Sequence, residues 1–148
     1  MQSIKQFQNE QSRLYASVVS EPRQGLLMDV WNGQAQSTEN MKQVLDYSLN
    51  SIKEHNLSSW LSEVSKLDAL FEVDPEGAEV YLRQHLAQTP LCKIAFVYKA
   101  AGVKHIEKIT RIFIRCGVEV KGCATSVMAM QWLLKPRLVN KPEPVLEL

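Results

Sequence analysis

The side chains here that could do covalent or ligand chemistry are three cysteines, three histidines and two lysines in turn regions. Cys92, Cys116 and Cys123 are odd in number and show no CxxC spacing. That pattern argues against a disulfide scaffold and against a zinc site. A thiol nucleophile needs a lowered pKa and a nearby base. Cys123, just ahead of a helix start, comes nearest to that description; buried, inert thiols are the plainer reading. His55, His85 and His105 fall on or near three different helical segments, with no i, i+4 pair to converge on a metal. His55 and His85 sit near helix C-termini, where a cation is favoured. Lys66 and Lys99 follow strand-like runs. Together with the N-terminus of a helix near Val103 they could hold an anion, if strand order reverses there. Ala100-Ala101-Gly102 lacks the GxGxxG spacing and there is no GK[ST], so no familiar nucleotide loop is present. An enzyme would have to use Cys123 or Lys99, and no acid–base set converges on either. The expectation is a non-enzymatic protein with no cofactor and no metal.

Apolar side chains in unusual places are more suggestive. Leu67, Leu70 and Phe71 crowd a segment that otherwise reads as a loop. Loops seldom hold such residues without covering something. They would cap the core, line an apolar pocket or form a dimer interface. Trp31, Trp60 and Trp132 read as core or rim residues. Trp132 shares a face with Met128 and Ala129, which could also serve a partner.

Composition narrows the class. The 148 residues are 45% hydrophobic and 22% charged with a net charge of +1. These values fit one globular domain with a real core. Such a balance offers no global field for nucleic acid or an acidic membrane. No apolar run approaches the roughly 20 residues of a membrane span. The polar stretch Met1–Gln11 does not read as a secretory signal. The cytoplasm is the expected compartment.

The elements that must position these residues follow in order. Residues 1–12 are rich in Gln, Ser and Asn and are expected to be a flexible N-terminus. Arg13–Val19 and Leu26–Trp31 read as strands joined at Glu21-Pro22-Arg23-Gln24-Gly25, hence an antiparallel hairpin. Ser37 or Thr38 opens a helix whose apolar face is Met41, Val44, Leu45, Leu49 and Ile52, closed by Asn56. Leu57–Val64 is the third strand. Asp74-Pro75-Glu76-Gly77 starts the next helix, with Asp74 as N-cap and Pro75 at N1. Leu91–Tyr98 is a short apolar run with little polar alternation, which suits a strand buried on both faces between helical layers. A helix from about Val103 to Cys116, ended by Gly117, leads to the strand Val118–Cys123. Thr125 or Ser126 then caps a last helix that Pro136 stops. Residues 13–135 would form the domain, and 136–148 an extended or disordered tail. The fold class is α/β: a single mixed sheet with an N-terminal antiparallel hairpin followed by parallel βαβαβα, the helices packed on the sheet.

This order resembles the STAS domains, and more closely their SpoIIAA-like branch of small bacterial proteins. The resemblance covers residues 13–134. It rests on the strand pattern, on Lys93-Ile-Ala-Phe-Val97, on Gly117-Val-Glu-Val120 and on Ala129-Met-Gln-Trp-Leu133. Anti-sigma-factor antagonists of the STAS group carry a switch serine in an Asp-Ser-Ser-Gly sequence at the start of the helix after the third strand. The matching stretch here is Asp74-Pro75-Glu76-Gly77, where both serines are gone; Ser65 lies in the same connection. The resemblance therefore implies an interaction module without that phospho-switch. Its recognition surface would run from Lys66 through Leu67, Leu70 and Phe71 to Asp74, Glu76 and Gly77, with Lys99 nearby. A protein partner is expected, and a homodimer would fit. The alternative is a small apolar-ligand or lipid-binding domain, with a cavity under Leu67–Phe71 and the helix at Met41–Ile52.

Overall fold

The computed structural model describes residues 2–32, 37–66, 75–99 and 103–135, with the side chains of 38, 75 and 103–105 left out. Six strands form one mixed sheet in the order β1-β2-β3-β4-β5-β6. They are β1 (Ser3–Gln8), β2 (Leu14–Glu21), β3 (Leu26–Trp31), β4 (Ser59–Glu63), β5 (Lys93–Val97) and β6 (Glu119–Cys123). β1, β2 and β3 pair antiparallel, and β3 to β6 pair parallel. The helices are α1 (Thr38–His55), α2 (Pro75–Leu86), α3 (Val103–Arg115) and α4 (Ser126–Leu133). The expected fold class is the one observed.

Local chemistry explains the boundaries. The Asn40 N–H donates to Ser37 Oγ at 3.0 Å, which caps α1. Asn56 takes the left-handed conformation at its end, with φ 52°. The Met128 N–H donates to Thr125 Oγ1 at 3.2 Å, so Thr125 caps α4. Gly25 closes the β2–β3 turn at φ 64°, and its close approach to Ser58 leaves little room for a Cβ.

One expectation is overturned at the N-terminus. Residues 3–8 do not fray but form the edge strand β1 on β2. Main-chain bonds hold a strand whose one buried side chain is Phe7, and a mostly polar composition hid it. A bulge opposite Phe7 and Gln8 lets both Tyr15 and Ala16 of β2 be buried. The other strands match expectation to within two residues. Asp74, Pro136, the segment Leu67–Phe71 and the tail 136–148 lie outside the described residues.

Strand order decides how the sheet is covered. Three successive crossovers step in the same direction, so right-handed connections put α1, α2 and α3 on one face. Side-chain clusters agree. Leu27, Trp31, Trp60, Ile94 and Phe96 pack with Val44, Leu82, Ile112 and Phe113 of those helices. The alternate residues Leu26, Leu61, Ala95 and Val97 pack with Cys123, Ala129 and Leu133. Thus α4 covers β4, β5 and β6 on the second face. β5 is buried at every position, as its apolar run predicts. The order of the described strands has no reversal, so the topology supplies no switch point of the kind expected to hold an anion.

Candidate functional site

β3 turns Leu27, Asp29 and Trp31 toward the three-helix face by simple alternation. An acid at the middle of such a strand is costly unless its oxygens find donors. The parallel register places Ser62 directly opposite Asp29 and Trp60 two residues earlier on β4. Three donors result. Trp31 Nε1 donates to Asp29 Oδ1 at 2.8 Å and Ser62 Oγ to the same oxygen at 2.7 Å. Trp60 Nε1 donates to Oδ2 at 2.5 Å. Asp29 is 3% exposed. Burial pushes its carboxyl above the ordinary carboxylate value, and the nearby Glu63 charge pushes the same way. The bonds from Ser62, Trp60 and Trp31 pull it back in part.

Asp29 borders a cavity of about 140 Å³ between the sheet and α1, α2 and α3. Its floor is Asp29, Trp31, Trp60, Ser62, Val64, Ile94 and Phe96. Met41, Val44, Leu45 and Ser48 of α1, Ala78 and Leu82 of α2, and Ile109, Ile112 and Phe113 of α3 complete it. Trp60 and Phe113 meet edge to face at 5.6 Å, as do Phe96 and Phe113 at 6.0 Å, which stiffens one wall. The Ser48 hydroxyl is fully buried, borders this space and has no hydrogen-bond partner among the described residues. Apart from Asp29, Ser62 and Ser48 the lining is apolar. A volume of this size accommodates a benzene-sized group.

The apolar-ligand alternative required a cavity beneath Met41–Ile52. Met41, Val44, Leu45 and Ser48 do line one; the Leu67–Phe71 part of that expectation lies outside the described residues. Of the proposed surface, Lys66, Glu76, Gly77 and Lys99 are exposed, whereas Leu67, Leu70, Phe71 and Asp74 lie outside the described residues. Asp29, Ser48 and Ser62 were missed. The available signal was strand parity: Asp29 falls two residues from both Leu27 and Trp31, on the side those large apolar residues must bury.

The remaining reactive side chains sit elsewhere. Cys123 is buried and Cys116 half-buried, and burial pushes both thiols up, away from nucleophilic character. The half-buried Cys92 thiol donates to the Ser58 carbonyl at 3.4 Å. His85 Nδ1 lies 2.9 Å from the Tyr81 carbonyl, and its ring packs on Tyr81 at 4.2 Å. Among the described residues no group of His, Cys, Asp and Glu could hold a metal ion. Lys93, unremarked in the sequence, is buried on the opposite sheet face. Its Nζ donates to the Trp132 and Lys135 carbonyls at 3.1 and 3.2 Å and lies 5.0 Å from the Trp132 ring centroid.

Among known proteins, this chain is similar to the crystal structure of an uncharacterised DUF3478-family protein with a SpoIIAA-like fold from Shewanella loihica PV-4. The identity is 17%, the match covers 90% of this chain and 95% of that one, and the TM-score is 0.43. No protein-family model matches the sequence. No curated protein matches it either.

Proposed function

We propose that this domain is a non-enzymatic binding module whose ligand is a small, largely apolar molecule held between the sheet and α1–α3. The observation that carries this reading is the cavity of about 140 Å³, apolar except where Asp29, Ser62 and Ser48 border it. Small-ligand sites have this character: hydrophobic walls and a few placed polar groups. Two tryptophans in the lining supply a readout. Toluene titrated into the protein should change tryptophan fluorescence saturably. Ala78→Leu, which adds volume at the lining, should abolish that change while leaving the circular dichroism spectrum intact. An unsaturable, linear response in the wild type would remove this reading.

A second reading, regulation by protein recognition without a phospho-switch, is supported by the exposure of Lys66, Glu76 and Lys99. Glu76 stands in the first turn of α2, where the STAS resemblance expects a serine, and brings a permanent negative charge. Phe71→Glu should then reduce recovery of a partner from extract; equal recovery would take 66–77 out of consideration. On either reading the protein works in the bacterial cytoplasm. No helix among the described residues is long and apolar enough to cross a membrane.

A further inference from the structure

The Asp29 carboxyl is held by two indole N–H groups and one hydroxyl, all neutral. No Lys, Arg or His among the described residues pairs with it, and the charge that acts on it is Glu63, of its own sign. A buried carboxylate left to neutral donors is poorly compensated. A carboxylate offers about four acceptor positions. Oδ1 has taken two donors and Oδ2 one, so Oδ2 keeps room for another. Asp29 also lines the cavity, as does the unpartnered Ser48 hydroxyl.

We infer that the cavity selects a small amphiphilic cation, a primary amine on a compact apolar body, whose ammonium group donates to Asp29 Oδ2. This rests on the ligand-binding reading above and specifies its chemistry. An ammonium supplies the missing positive charge and a charge-assisted hydrogen bond, and the apolar body takes the space between Val44, Leu82, Ile94 and Phe113. The indole edges and Ser62 orient the carboxylate beforehand, so little ordering remains when the ligand enters.

The probes are benzylamine, benzyl alcohol and toluene, of similar size and different head group. Each is titrated by tryptophan fluorescence, with two-dimensional NMR to locate the shifts. Benzylammonium should bind about tenfold or more tightly than benzyl alcohol, the expected gain for a charge-assisted contact in a dry site. Asp29→Asn should bring the affinities for benzylammonium and benzyl alcohol together, with saturable toluene binding serving as the check that the cavity persists. Glu119→Gln removes an exposed carboxylate on β6, outside the cavity lining, and should keep the preference, which ties the effect to Asp29 rather than to net charge. If toluene binds in the cavity and benzylammonium binds no better than benzyl alcohol in the wild type, the cation inference is wrong and the apolar-ligand reading survives. If none of the three binds, both fail.

Discussion

Among the described residues the two faces of the sheet each bury one charged side chain, and they treat it differently. Lys93 on the α4 face meets two main-chain carbonyls from the end of α4 and the ring of Trp132. A helix C-terminus carries partial negative charge, so this lysine is matched by its surroundings and pins the helix to the sheet. Asp29 on the three-helix face meets neutral donors and open volume. The lesson is that burial of charge is not one phenomenon. One charge is a fastener, complete within the chain; the other is oriented but not neutralised, and it adjoins space for something else.

That contrast can be broken by substitution. Lys93→Ala should be the most damaging, costing about 3 kcal/mol, because two part-buried carbonyls lose a charged donor. Urea denaturation measures the loss, and amide exchange should rise first in α4. A cost near zero would end the fastener role. Asp29→Asn should cost about 2 kcal/mol, since its amide group cannot accept from all three donors. It should also change the pH profile. A carboxyl raised in the folded state binds its proton more tightly there than in the unfolded chain. Wild-type stability therefore falls as pH rises from the ordinary carboxylate value through the raised one. The difference between wild type and Asp29→Asn should shrink across that window, and a constant difference would show that Asp29 does not titrate there. Ser62→Ala should cost about 1 kcal/mol, one neutral hydrogen bond with two others retained. Ser48→Ala should raise stability slightly, by less than about 1 kcal/mol, because it removes a buried hydroxyl with no partner among the described residues. A loss there would mean the hydroxyl has a partner in solution.

Much of the frame was legible beforehand. The apolar run Leu91–Tyr98, with little polar alternation, announced a doubly covered strand, and β5 is buried at all five positions. Ser37, Asn56, Gly117 and Thr125 marked helix ends through local backbone and side-chain chemistry. β1 was not legible, because an edge strand anchored by Phe7 needs little apolar patterning. The candidate site was half legible. Met41, Val44 and Leu45 appeared as an inward helical face, whereas Asp29 and Ser62 looked like ordinary polar residues in two separate strands.

What sequence by itself determined is therefore what depends on neighbours a few residues apart: periodicity, caps, turns, and hence the α/β class with its hairpin. What only the tertiary structure decided is which side chains meet. Asp29 and Ser62 lie 33 positions apart, and they join because β3 and β4 align in parallel with those two residues opposite each other. A one-residue slip in that register would turn one of them to the other face. Register and strand order are properties of the packed sheet, and they alone turn an unremarkable aspartate into the centre of a cavity.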